Sequence, residues 1–274
     1  MASQVTFIGA GNMAGAIIGG MIDSGYSADA ITATSPDDSA LAPLRERLGI
    51  HTETDNASAV AQADVVVLAV KPQIMQDVCT GMRDAIQARK PLILSVAAGP
   101  PADTLEHWLG GDLPVVRCMP NTPSLVGAGA AGLYANARVT DAQQRIASEL
   151  LEAVGLVEWV DDEALLDAVT AVSGSAPAYF FLMFEAMEQA GADLGLPADT
   201  ARRLAMQTAY GAARMAMDSD KTPGELKRNV MSPGGTTERA IEHMENAGLR
   251  NIMQSAMRAC AERAGEMADE LGKR

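Results

Sequence analysis

Aromatic residues make up only 4% of this 274-residue chain, so its core has to be built from Ala, Leu, Ile, Val and Met. Cysteine is also sparse. Cys79, Cys118 and Cys260 are odd in number, far apart and in no C-x-x-C arrangement, which argues against a disulfide framework or a zinc site and fits a reducing cytosol. No Arg/Lys run interrupts a formal charge of −14, so a nucleic-acid backbone would find no basic face to follow. His51, His107 and His243 stand outside any H-x-x-x-H, and neither G-x-S-x-G nor a paired-carboxylate setting is found. The most apolar stretch, Ala176 to Phe184, falls far short of the ~20 residues of a spanning helix and runs into Glu185. The first residues lead almost directly into an apolar strand with no basic region before it. These absences predict a cytoplasmic protein with no signal peptide, membrane segment, metal or nucleic-acid partner.

With 48% hydrophobic and 20% charged residues, the composition is globular and the length suits two domains. Short β-branched runs at Val5 to Gly9, Ile31 to Thr34, Val65 to Val70, Leu92 to Val96 and Val115 to Cys118 alternate with amphipathic stretches. Runs apolar on every residue signify strands buried on both faces, as in a parallel sheet covered by helices. Two more strand-like pieces, Ala128 to Tyr134 and Leu156 to Val160, bracket a helix from Thr140 to Val154 and extend that sheet. After Asp161-Asp162-Glu163 the strand signals stop. The reading is an α/β fold: a Rossmann-type doubly wound domain over 1–160, then an all-helical domain over 161–274. In the second part Ala201, Ala205, Ala209, Ala213 and Ala216 recur near helical spacing, and Leu249, Ile252, Ala256, Cys260, Ala264, Met267 and Leu271 form a stripe on the last helix. Such stripes suit an ordinary core, and equally a close contact between subunits.

Gly9-Ala10-Gly11-Asn12-Met13-Ala14 follows a strand and opens a helix. In that setting Gly9 permits a tight turn, Gly11 lets the backbone approach a pyrophosphate, and Ala14 keeps the helix near the strand. A plain strand-to-helix turn is the alternative. Where the second strand usually ends in an acid for the ribose, this chain has Thr34-Ser35-Pro36, which repels no 2′-phosphate and lets Ser35 donate to one. NADP(H) is therefore favoured, with NAD(H) as the second option. Asp37 and Asp38 follow closely and are read as helix caps. Val70-Lys71-Pro72 and the Ala97 turn lie at strand ends, where the nicotinamide would be approached. Arg117 to Pro123 forms a rigid turn that either touches ligand or shapes the floor.

Met231-Ser232-Pro233-Gly234-Gly235-Thr236-Thr237 lies between two helical patterns, and its hydroxyls and N–H groups would cradle a carboxylate unless they only cap a helix. Ser173-Gly174-Ser175 is a second hydroxyl-rich turn. An alcohol dehydrogenase needs a base for the hydroxyl proton, whereas a protonated C=N bond is already an electrophile that mainly needs positioning. The lack of a well-placed His or Lys favours an imine substrate.

These motifs, together with Met119-Pro-Asn-Thr-Pro123, Ser173 to Tyr179 and Val230 to Thr237, resemble the pyrroline-5-carboxylate reductase family over essentially the whole chain. The resemblance implies a homodimer intertwined through the helical domain, with dimers assembled further into rings, and reduction of 1-pyrroline-5-carboxylate to L-proline. It also implies cofactor contacts at Gly9 to Ala14, Ser35, Asn56, Val70, Lys71, Pro72, Ala97 and Asn229. Substrate contacts would fall on Ser175, Glu163, Ser232, Gly234, Gly235 and Thr236, with the Thr237 hydroxyl directed at the ring nitrogen. Two other classes compete: a β-hydroxyacid-dehydrogenase-type reductase, which would need a catalytic Lys that Lys221 and Lys227 supply poorly, and a regulatory protein that binds NADPH without turnover.

Overall fold

The computed structural model describes residues 2–272. Two compact units divide the chain: Met1–Ser175 with Ala259–Arg274, and Ala176–Arg258. The first carries eight strands, β1 (Val5–Ile8), β2 (Ile31–Thr34), β3 (His51–Glu53), β4 (Val65–Leu68), β5 (Leu92–Ser95), β6 (Val115–Met119), β7 (Gly129–Ala135) and β8 (Gly155–Trp159), ordered β3-β2-β1-β4-β5-β6-β7-β8. Its helices are α1 (Asn12–Asp23), α2 (Asp38–Leu48), α3 (Asn56–Val60), α4 (Pro72–Gly81), α5 (Arg83–Arg89), α6 (Ala102–Trp108), α7 (Asp141–Glu152) and α8 (Leu165–Val169).

The continuous apolar runs have the expected cause. Val65 and Val67 of β4 join one hydrophobic cluster with Ile17 of α1 and Leu150 of α7, while Val66 and Leu68 join another with Met75, Leu105 and Trp108. Both faces of the strand are dry. Each such side chain, fully buried, contributes about 1.5–3 kcal/mol, and a polar residue anywhere in β4 would forfeit that.

Three features depart from the simple reading. β7 runs antiparallel to β6, pairing Cys118 with Leu133, whereas the other pairs are parallel. The link from Met119 to Gly129 is shorter than the dozen or so residues a parallel crossover needs, so the chain can only double back. β3 (His-Thr-Glu) is a polar edge strand with no apolar run to betray it. The sheet ends near the expected boundary at Val160, but the compact unit continues to Ser175 and recovers 259–274, because side chains of the last helix, α13 (Leu249–Gly272), return to it.

The second unit holds α9 (Ala176–Asp193), α10 (Ala198–Met217), α11 (Pro223–Asn229), α12 (Thr236–Asn246) and the start of α13. α9 and α10 form a hairpin in which Gly191 faces Ala201 so closely that an added Cβ would lie 2.7 Å from the alanine's Cβ. Arg202 donates to both carboxylate oxygens of Glu188 at 2.6 and 2.7 Å. Of the alanine stripe, Ala201 and Ala205 are buried. Phe180, Phe181, Leu182, Leu204 and Tyr210 stand exposed, far more apolar surface than a lone helical pair keeps in water. The helical run is also longer than the sequence suggested: Leu165–Asp193 is 29 residues and contains an 18-residue window of mean hydropathy 1.3, enough by length and composition alone to cross a membrane.

Candidate functional site

The glycine turn is built by backbone demands. Gly9 has φ +104°, and a Cβ there would lie 2.8 Å from the Ala69 carbonyl oxygen, so only glycine fits. Its N–H donates to the Thr34 carbonyl at 3.1 Å, binding the turn to the end of β2. Gly11 is the N-cap of α1, no side chain caps it, and the space above its Cα is open. The first N–H groups of α1 thus face outward with the helix dipole behind them, a fit for a pyrophosphate.

Beyond β2 the Ser35 hydroxyl accepts from the Asp37 N–H at 3.2 Å, which leaves its own proton to give. Asp37 caps α2 through the Ser39 N–H at 2.9 Å, and the Ser39 side chain first, then that N–H, hold its carboxyl below the usual range. Asn56 opens α3, and its side-chain oxygen receives the buried Thr34 hydroxyl at 2.6 Å. One residue, Thr34, therefore couples Asn56 to the glycine turn. Lys71 is the exposed N-cap residue of α4 with Pro72 at its first position, while Val70 packs on the apolar cluster below.

Past the carboxyl ends of β5 and β6 the first unit encloses a cavity of about 240 Å³. Ala97, Ala98 and Gly99 wall one side, Arg117 to Met119 the floor, Asp167, Thr170 and Ser175 another side, and Cys260, Arg263 and Met267 of α13 the last. Ligands in open α/β sheets lie at this end of the strands. Burial pushes the Cys118 thiol far above its ordinary range, so it packs here as an inert apolar group.

Glu163, expected beside the substrate, is engaged by the scaffold. Its Oε1 accepts from Arg117 Nη1 at 2.8 Å and from the Ala102 N–H at 2.7 Å, tying the β6 floor and the start of α6 to the segment after β8. Asn121, left open between ligand contact and floor, is buried and spends both ends of its amide on backbone: Nδ2 donates to the Ser173 carbonyl at 3.0 Å and Oδ1 accepts from the Ala130 N–H at 2.9 Å. Ser173 lies in a π-turn, Thr170–Gly174, whose wide loop places the Ser175 N–H on the Thr170 carbonyl at 2.8 Å. Such turns recur at functional sites. The Ser175 hydroxyl accepts from the Cys260 thiol at 3.3 Å. Sequence spacing gave no hint of Asp167, because a single Asp in an apolar helix has no pattern around it.

In the second unit the hydroxyl-rich turn is tighter than expected. Gly234 adopts φ +71° and donates its N–H to Glu238 Oε2 at 2.6 Å, while the Gly235 N–H goes to the Ser232 carbonyl at 2.9 Å. Those two donors are occupied, one of them already by a carboxylate. Gly235 is the N-cap of α12 with no side-chain cap, so the hydroxyls of Thr236 and Thr237 do not serve as caps. Asn229 ends α11 and is exposed.

Residues 163–267 match the domain family described as pyrroline-5-carboxylate reductase dimerisation, and residues 4–99 match that described as NADP oxidoreductase, coenzyme F420-dependent. A pyrroline-5-carboxylate reductase of Pseudomonas aeruginosa is 51% identical over 270 residues, 98% of each chain. The solved pyrroline-5-carboxylate reductase of Coxiella burnetii superposes with a TM-score of 0.95 at 44% identity, covering 98% of this chain and 99% of its own. That of Plasmodium falciparum, solved with NADP bound, gives 0.85 at 26%, covering 97% and 98%.

Proposed function

The chain belongs to the pyrroline-5-carboxylate reductase family, and from that premise we propose how its residues share the chemistry. It is an NAD(P)-dependent oxidoreductase that reduces the cyclic imine 1-pyrroline-5-carboxylate to L-proline, the last step of proline biosynthesis, and it works as a homodimer. Its exposed apolar helices agree with the dimerisation match over 163–267 and account for the long apolar run without a membrane.

The cofactor's pyrophosphate rests on the N–H groups that open α1, along Gly9 to Ala14, and its adenosine end lies against Ser35 and Asn56. The observation that supports this is the uncapped, open start of α1 at Gly11. The Ser35 hydroxyl, with no acid at the strand tip, favours NADPH over NADH. Val70, Lys71, Pro72 and Ala97 border the nicotinamide end, and Asn229 adds a contact from α11. When bound, the reduced cofactor supplies hydride to the carbon of the C=N bond.

The substrate carboxylate is held by the Ser232 to Thr237 turn. Because the Gly234 N–H already carries the Glu238 carboxylate, the incoming anion takes the N–H groups of Thr236 and Thr237, or displaces Glu238. The Thr237 hydroxyl donates to the ring nitrogen and steadies it as charge changes; a threonine is far too weak an acid to protonate it. Ser175 borders the substrate, and Glu163 acts at one remove through Arg117. We place the enzyme in the cytoplasm, with dimers gathering into a ring. NADPH oxidation dependent on the cyclic imine, with L-proline formed in equal amount, tests the activity. NADPH binding without turnover would point to a regulatory protein instead. Sedimentation at micromolar concentration tests the assembly, and a stable active monomer would refute it.

A further inference from the structure

We propose that Asp167, in the cavity beyond β5 and β6, gives the proton that the imine nitrogen needs; the inference rests on the reductase reading above. Asp167 sits on α8 and lines the cavity, and its carboxyl has neither a hydrogen-bond nor an ion-pair partner among the described residues. Gly265 of α13 lies against its Oδ2, where an added Cβ would stand at 3.1 Å and press on the carboxyl. Of the neighbouring cations, Arg117 gives Nη1 to Glu163 at 2.8 Å while its Nε is buried without a partner, and Arg263 is engaged by Glu266 and Glu270 at 2.8 and 2.9 Å. Thr170 gives its hydroxyl proton to the Leu166 carbonyl at 2.8 Å.

A partly buried carboxyl with no protein partner on a cavity wall is free to meet a group that arrives there. The wall opposite is the Ala97 to Gly99 turn, at the strand ends where a dinucleotide's reactive ring is approached. The electrostatics agree with the geometry. Burial is the main influence raising the Asp167 carboxyl above its ordinary value; Arg117 opposes this, and Asp269 of α13 and Glu163 add to it. Such an acid holds its proton closer to neutrality than an exposed carboxyl does.

The step balances. The Oδ–H bond of Asp167 breaks as an N–H bond forms on the ring nitrogen, giving the iminium; hydride adds to the neighbouring carbon, and the C=N π pair becomes the lone pair of the product amine. The carboxylate then takes a proton from solvent. The Thr237 hydroxyl then donates to the lone pair that the hydride step leaves on nitrogen.

The experiment compares the full-length dimer with its Asp167→Asn and Asp167→Glu variants. We expect Asp167→Asn to lower kcat/KM on the order of a hundredfold near neutral pH, with a deficit that shrinks as pH falls and substrate arrives already protonated. Asp167→Glu should recover part of the rate. Because the native carboxylate is desolvated and unpartnered, Asp167→Asn should melt at the same temperature as the native protein or higher. A second readout needs no cofactor: L-proline binding followed by calorimetry in two buffers of different ionisation enthalpy. Below the raised pKa the arriving ammonium should expel a proton from native Asp167 and none from the Asn variant. A pH-independent deficit, a lowered melting temperature with no rescue by Glu, or equal proton counts in the two proteins would each overturn the assignment. A native protein inert toward the cyclic imine would sink the reductase reading, and the proton count would still decide the role of Asp167.

Discussion

Replacing Asn121 with alanine removes two hydrogen bonds from one buried point, the 3.0 Å bond to the Ser173 carbonyl and the 2.9 Å bond from the Ala130 N–H. The side chain is 8% exposed, so water has little room to take its place. Each lost bond costs roughly 0.5–1.5 kcal/mol net, and each backbone group left buried without a partner roughly 1–3 kcal/mol. Partial relaxation of the π-turn brings the expected total to about 2–4 kcal/mol, or a fall in Tm of roughly 5–15 °C for a unit of this size. Asn121→Asp is the informative companion. It retains the acceptor for Ala130 but sets a negative charge against the Ser173 carbonyl, so it should be destabilised near neutral pH and recover as acid restores a donor. Thermal unfolding at two pH values measures both variants. If the alanine variant melted within a degree of the native protein, or the aspartate variant showed no pH dependence, Asn121 would not be the brace that holds the Ser175 turn.

Glu163→Ala should be more damaging, about 3–5 kcal/mol in denaturant unfolding, because it strands the Arg117 guanidinium, only 12% exposed, and uncaps α6 at the Ala102 N–H. Glu163→Gln, able to accept both bonds, should lose less; equal losses would deny the ion pair its part. Ser35→Ala should weaken NADPH binding about tenfold to a hundredfold while sparing NADH, and titration calorimetry showing equal losses would remove Ser35 from phosphate recognition. Thr237→Ala should cut turnover by on the order of a hundredfold with Tm and NADPH affinity nearly unchanged, and Thr237→Ser should restore much of the rate. Normal turnover by the alanine variant would end the catalytic assignment.

What could be read from the sequence is what composition writes locally. β4 is apolar on every residue, and β5 on all but its last, Ser95, because helices cover both faces, and a run of that kind is visible without a fold. β3 escaped because an edge strand of His, Thr and Glu buries almost nothing. The direction of β7 was legible only through the length of the link before it. Glu163 shows what a motif leaves out: the resemblance puts it near the substrate, while its partners Arg117 and Ala102 are 46 and 61 positions away and invisible to any local pattern. Asn121 was seen as part of a rigid turn, but which groups it braces depends on a π-turn that no periodicity announces. The compact units reflect the same difficulty, since strand signals end near Val160 whereas α13 returns to the first unit a hundred residues later.

A missing side-chain cap does not by itself mark a ligand site in this chain, because α4, α5, α8 and α10 also start without one, at Lys71, Met82, Ala164 and Pro197; a glycine at the cap is the narrower distinction. α2, α3, α7 and α11 begin at Asp37, Asp55, Thr140 and Thr222, whose side chains accept the first N–H groups, while α6 receives the Glu163 carboxylate. A side chain at the cap is worth about 1 kcal/mol, so a structural start gains by having one. α1 and α12 begin instead at Gly11 and Gly235, without side-chain caps. Glycine costs only a few tenths of a kcal/mol relative to the good caps, and it leaves the N–H groups and the dipole to whatever anion approaches. One of these starts follows the tight turn after β1, and the other follows a turn that already holds a carboxylate on the Gly234 N–H. An oxidoreductase that must seat a pyrophosphate and a substrate carboxylate needs two anion cradles of this type. On the proposed assignment a capping serine or aspartate at Gly11 would satisfy the helix and occupy the space proposed for the pyrophosphate, whereas at Gly235 an added Cβ would stand 2.8 Å from the Ser232 carbonyl oxygen, so glycine there also answers to the turn itself.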